Sequence, residues 1–138
     1  MAESEHELAR AIIEQSADAL IFADAEGVTR IWNAAATALF GFTADETVGL
    51  SLDIIIPERL RQAHWSGFRR AIETGATRLD GRPTITRALH KAGKRLYVEM
   101  SFAVVRGPAG TVVGSVAIAR DATARYEEER ARHQQDHS

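Results

Sequence analysis

The residue with the clearest chemical potential is His64, which lies in an apolar row at helical spacing. Leu60, His64, Phe68 and Ile72 follow one another at steps of four, the spacing that places side chains on one face of a helix. An imidazole on a core-facing stripe is either a hydrogen-bonded structural residue or a ligand for something bound inside the protein. The pattern alone leaves both interpretations open.

No other group of side chains has the spacing of a catalytic or metal site. The sequence contains no cysteine, which excludes disulfides, thiolate metal sites and chromophores attached through cysteine. No nucleophile, base and acid occur in a recognisable pattern. We therefore expect a protein that is not an enzyme.

Composition sets the class of protein. The 138 residues carry a formal net charge of −2, and 45% are hydrophobic and 26% charged, which is typical of one soluble globular domain. This slightly negative net charge gives no sign of the basic surface that nucleic-acid binding requires. No apolar run reaches the roughly 18 residues of a membrane span. We expect no nucleic-acid partner, no membrane association and a cytoplasmic location.

The row that contains His64 belongs to a long helix predicted over residues 57–75. Proline is favoured in the first turn of a helix, so Pro57 suits its start, and Gly75 suits its end. Shorter helices precede it. Asn33 is a side-chain cap for residues 34–40, and Thr43 with Glu46 forms a capping box.

Strands are predicted on both sides of these helices. A hairpin joins residues 18–23 to 28–32, and three further strands cover 84–90, 95–106 and 111–120. The fourth strand alternates apolar and polar residues with period two. The last strand is apolar on both faces, so we expect a cover on each. One cover is the block of helices, and the other is the N-terminal helix or a partner subunit.

Each end of the chain is predicted to be helical. Ser4 and Glu7 form a capping box for a helix to about residue 15, whose apolar stripe must pack on a surface. Asp121 caps a charged C-terminal helix. The predicted organisation is a capping and dimerisation helix over residues 1–16, a central domain over 17–123, and a helix and tail over 124–138.

This order of elements resembles the PAS sensory fold. The resemblance rests on Trp32-Asn33 followed by an alanine-rich turn to Gly41, on the hairpin at Gly93, and on the closing run from Arg120 to Thr123. It covers residues 12–123. It implies an α+β fold, a five-stranded antiparallel sheet with helices on one face, flanked by an N-terminal capping helix and a C-terminal helix.

The same resemblance implies a sensor that binds a small ligand in its core. In haem-binding oxygen-sensing PAS domains the axial histidine lies on the long helix, and counting back from Gly93 places His64 at that position without a gap. The implied cofactor is haem b, with His64 as the metal ligand. The implied cofactor-binding residues are His64, Arg82, Thr84, Met100, Phe102, Phe68, Leu60 and Gly67.

One position departs from the oxygen sensors. Their strand arginine, which bonds bound oxygen, is matched here by Thr84. Arg82, two residues earlier, shares that strand face and is the candidate for contact with a gas or a haem propionate.

Other functions fit the same family. A haem-free PAS module would bind a small apolar ligand or act through dimerisation alone, and a flavin redox sensor is a third possibility. In each case we expect a homodimer formed through the N-terminal helix and the outer sheet face, and a downstream signalling partner.

Overall fold

The computed structural model describes residues 4–77, 79 and 81–136. In the described residues, five strands form one antiparallel sheet in the order β2-β1-β5-β4-β3. The elements, with a 3₁₀ turn over Leu52–Ile55, are α1 Glu5–Gln15, β1 Ala19–Asp24, β2 Thr29–Trp32, α2 Ala34–Phe40, α3 Ala44–Thr47, α4 Glu58–Thr74, β3 Thr84–Ala88, β4 Leu96–Arg106, β5 Val112–Asp121 and α5 Thr123–Asp136. The predicted five-stranded sheet with helices is confirmed.

The inner face of the sheet carries the core. Leu96, Val98 and Met100 on β4 are buried, and the residues between them are half-buried, as the period of two predicts. β5 lies in the centre and pairs with β1 and β4, so its Ala117 and Ala119 are buried as well.

Asn33 joins three elements. Its Oδ1 caps α2 by accepting from the Ala36 N–H at 3.0 Å and also accepts from the Leu20 N–H of β1 at 2.9 Å. Its Nδ2 donates to the Ile13 carbonyl of α1 at 2.8 Å and to that of Asp18 at 3.1 Å. The sequence predicts the cap, and the structure adds a buried connection that positions α1 and α2 against β1.

The capping box at Thr43 and Glu46 forms as predicted. The same Glu46 accepts from Lys91 Nζ at 2.6 Å, which links α3 to the loop between β3 and β4.

α4 begins one residue later than predicted. Pro57 has an extended backbone, with φ −53° and ψ 140°, and is the N-cap rather than the first helical residue. Gly75 ends the helix in the left-handed conformation at φ 77°. Trp65 Nε1 donates to Asp53 Oδ1 at 2.7 Å, so the helix is fixed to the turn that precedes it.

The outer face of the sheet remains partly open in a single chain. Ile118 of β5 is 43% exposed, and Leu8 and Ile12 of α1 are 54% and 62% exposed. The end of α1 is held near α2 by the bond from Asn33 to Ile13. The described residues leave these apolar side chains uncovered. Within the described residues, no helix is long and apolar enough to cross a membrane.

Candidate functional site

Two adjoining cavities lie between α4 and the inner face of the sheet. Each has a volume of about 390 Å³, within the range of roughly 300–1,000 Å³ that small-molecule sites occupy. The outer cavity lies beside the C-terminal half of α4 and the segment before β3, and the inner cavity lies deeper in the core. They share Ala63, His64, Phe68, Thr84, Phe102 and Ser115.

The structure brings all eight sequence-predicted residues to these cavities. His64, Phe68, Thr84 and Phe102 line both. Leu60 and Met100 line the inner cavity only, and Gly67 and Arg82 line the outer cavity only. The resemblance therefore identified residues that line two adjoining cavities, although they come from α4, the segment before β3, β3 itself and β4.

His64 is half-buried, and its Nδ1 is fully buried without a hydrogen-bond partner among the described residues. Aromatic rings hold the imidazole in place. Trp65 packs edge-on at 4.6 Å between ring centroids, and Phe68 stacks at 6.3 Å. Buried nitrogens are normally hydrogen-bonded, so the arrangement argues against a purely structural, hydrogen-bonded histidine.

The imidazole of His64 is held neutral by its surroundings. Burial lowers its pKa below the ordinary value of 6.5, and the nearby charge of Asp53 opposes this only in part. A neutral imidazole retains a lone pair, which ligation of a metal or acceptance of a hydrogen bond requires.

Space for a ligand is open beside His64. A Cβ atom added at Gly67, three residues later on α4, would meet no heavy atom of another part of the described chain within 4 Å. Glycine inside a helix lowers its stability by about 1 kcal/mol relative to alanine. No close neighbour of Gly67 among the described residues requires a glycine at this position.

Arg82 and Thr84 lie at the exposed side of the outer cavity. The Arg82 Nε donates to the Leu79 carbonyl at 2.9 Å, which holds the base of the guanidinium at the rim. Thr84 opens β3 directly opposite Met100 of β4.

Sequence reasoning missed part of the wall. The inner cavity is also lined by Ile21, Ile55 and Ile56, which are buried core residues. It missed Ser115 too, a buried polar residue of β5 that lines both cavities. The available signal was the one hydroxyl side chain within β5 (Val112–Asp121).

The site offers one imidazole nitrogen among largely apolar walls. His64 supplies one neutral nitrogen donor, and the described residues contain no cluster of three or more possible metal ligands. A bare metal ion needs three or four protein ligands, so this donor set is not that of a metal-ion site.

The family comparison covers most of the chain. A family model described as the PAS fold matches residues 13–127. The oxygen sensor protein DosP of Escherichia coli is 28% identical over 111 residues, which are 80% of this chain and 14% of DosP. The chain spans only 13 to 18% of the length of the curated relatives it matches.

Two solved structures have the same fold. The PAS domain of a protein from Colwellia psychrerythraea is similar with a TM-score of 0.73 and 20% identity, over 86% of this chain and 97% of that one. An RNA-binding light-oxygen-voltage receptor is similar with a TM-score of 0.70 and 25% identity, over 96% of this chain and 38% of that one.

Proposed function

The chain belongs to the PAS fold family, and on that premise we propose that it is a sensory module whose core cavities take a small ligand. The observation that carries this proposal is the pair of adjoining cavities, both lined by the neutral imidazole of His64 and by largely apolar walls.

The most specific form of the proposal is a gas or redox sensor with haem b. His64 would hold the group, and Leu60, Phe68, Met100 and Phe102 would supply apolar walls. Arg82 and Thr84 would supply polar atoms at the rim. When bound, haem supplies an iron that takes up a small gas or changes oxidation state. The similarity to an oxygen sensor protein supports this form.

A path from the cavity to the C-terminal helix supports a sensory role. β4 carries Met100 and Phe102 in the cavity wall, and its Tyr97 N–H donates to Thr123 Oγ1 of α5 at 2.9 Å. The Tyr97 ring also stacks on Tyr126 of α5 at 3.8 Å between centroids. A ligand that displaces β4 would therefore move α5, which would present the change to a downstream signalling partner.

The second candidate function is a haem-free PAS module. The inner cavity is largely apolar and suits a small organic ligand without a metal. Association of two copies through the open outer sheet face and α1, and a cytoplasmic location, belong to either form of the proposal. A flavin sensor is the third form, and the similarity to a light-oxygen-voltage receptor supports it.

Reconstitution with haemin tests the haem form. The purified chain should develop a Soret band with one equivalent of haemin, and His64→Ala should lose it because the axial nitrogen is gone. His6→Ala is the matched control, since His6 is exposed on α1, and it should leave the spectrum unchanged.

Absence of a Soret band, or a band that His64→Ala leaves intact, would contradict the haem form and favour the haem-free module. A yellow protein as purified would instead support flavin.

A further inference from the structure

The side of α4 that borders the two cavities carries two neighbouring rows of residues. The row that contains His64 has large side chains and lines the inner cavity. Ala63, Gly67 and Ala71 follow one another at steps of four, so they share one face of the helix, and all three line the outer cavity. The helix wall of the outer cavity is therefore built from the smallest side chains on α4.

Gly67 lies in the middle of this second row and lines the outer cavity only. It is an interior residue of α4, and its φ lies outside the left-handed region that favours glycine. A Cβ atom at this position would meet no heavy atom of another part of the described chain within 4 Å. The helix can therefore carry a larger side chain at position 67 without a clash at Cβ.

A larger side chain at position 67 would take its space from the outer cavity. Side chains on an α-helix lean back toward its N-terminus, and the residue one turn back is Ala63, which lines this cavity, as does Ala71 one turn ahead. Leu79 and Phe102 line other walls of the same cavity. An apolar side chain that enters the cavity gains contact with these apolar residues and leaves water.

We propose that Gly67 determines the size of the apolar ligand group that the outer cavity admits. Phe68, Leu79 and Phe102 line this cavity and suit a compact apolar group such as an aromatic ring. Glycine at position 67 leaves room for that group, and each added carbon at this position reduces the room. The inference rests on the proposed core ligand site, concerns its outer cavity alone and does not require iron.

An NMR titration of the full chain with naphthalene tests this role, because amide signals report on each cavity separately. Ala71 and Gly81 line the outer cavity only, whereas Ile55 and Val98 line the inner cavity only. Naphthalene should shift both pairs of signals in the wild-type chain. Gly67→Leu should weaken the binding seen at the outer pair by about tenfold or more and leave the inner pair unchanged. Gly67→Ala, which adds one methyl group, should have a smaller effect.

Ser66→Leu is the matched control, since Ser66 is the exposed neighbour of Gly67 on α4 and lines neither cavity. It should leave both pairs of signals responsive. Outer binding that Gly67→Leu leaves unchanged would overturn the role of Gly67. Wild-type shifts confined to the inner pair would overturn it as well, while the core ligand site would stand. A response at neither pair would contradict the core ligand site itself, and this inference with it.

Discussion

At the scale of single residues, the hydrogen bonding of His64 distinguishes a structural role from a functional one. A hydrogen-bonded core histidine stabilises the empty protein, whereas a histidine with a buried, unpartnered nitrogen destabilises it. The second description fits His64. The buried nitrogen therefore lowers the stability of the ligand-free chain, and an apolar side chain at this position would not carry that cost.

Replacement of His64 by leucine should therefore stabilise the ligand-free protein. We expect His64→Leu to raise the free energy of unfolding by about 1 kcal/mol, measured by chemical denaturation at pH 7.5. His90→Leu is the matched control and should lower it, because His90 Nδ1 accepts from the Ala92 N–H at 3.0 Å. A loss of stability in His64→Leu would return His64 to a structural role.

The difference in stability between His64→Leu and the unmodified chain should depend on pH. The folded-state pKa of His64 lies below 6.5 because burial disfavours the charged form, so the unfolded chain binds the proton more readily. This contribution to stability is complete above pH 6.5 and is lost as the pH falls through the folded-state pKa. The stability advantage of His64→Leu should therefore increase below pH 6.5, and a constant difference between the two proteins would contradict the assignment.

Much of the site could be predicted from the sequence at this scale. The row from Leu60 to Ile72 and the resemblance together identified eight cavity residues. Ser115 was missed because a serine in a strand is unremarkable until the cavity beside it is known. The missing partner of His64 Nδ1 depends on side-chain positions in the folded chain, which spacing does not encode.

At the scale of the elements, Asn33 shows the limit of local patterns. The sequence predicts a helix cap from the residue type and its position before an alanine-rich run. The bonds from the same amide to Ile13, Asp18 and Leu20 join segments that are distant in sequence, so no local pattern predicts them. The α4 boundary differs for a related reason, because Pro57 serves as the N-cap in an extended conformation.

Loss of the Asn33 hydrogen bonds should lower the free energy of unfolding by more than loss of an ordinary helix cap. Asn33→Ala leaves the Leu20 and Ala36 N–H groups and two carbonyls without their partner, in a position that is 1% exposed. We expect the free energy of unfolding to fall by about 3 kcal/mol or more. Ser4→Ala, which removes an exposed cap of α1, should cost about 0.5–1 kcal/mol, and equal losses would contradict the connecting role.

At the scale of the whole molecule, the sheet has one face in the core and one partly open. The antiparallel order and the placement of the helices followed from the alternation of apolar residues and from the resemblance. We expected a cover on each face of β5, and the described chain supplies only one of them. We propose that a second copy supplies the other, because three large apolar side chains are exposed: Ile118 on the outer face of β5, and Leu8 and Ile12 on α1.

A charge on this face should separate the two copies. Ile118→Lys should shift the protein from dimer to monomer in sedimentation velocity, because lysine cannot be buried there without a partner. Leu50→Lys is the control, since Leu50 is 53% exposed and lies beyond the edge strand β2, where its carbonyl accepts from the Thr29 N–H, rather than on β5. A dimer that Ile118→Lys leaves intact would place the interface elsewhere.

The central claim is that His64 holds a ligand within the core cavity, and chemical rescue tests it most directly. His64→Gly opens a cavity at the position of the imidazole, and haemin reconstitution of this variant should give no Soret band of the wild-type form. Addition of free imidazole should restore that band, because the lost axial nitrogen returns without its covalent link. A wild-type spectrum of His64→Gly before imidazole is added, or no change when it is added, would contradict haem ligation by His64.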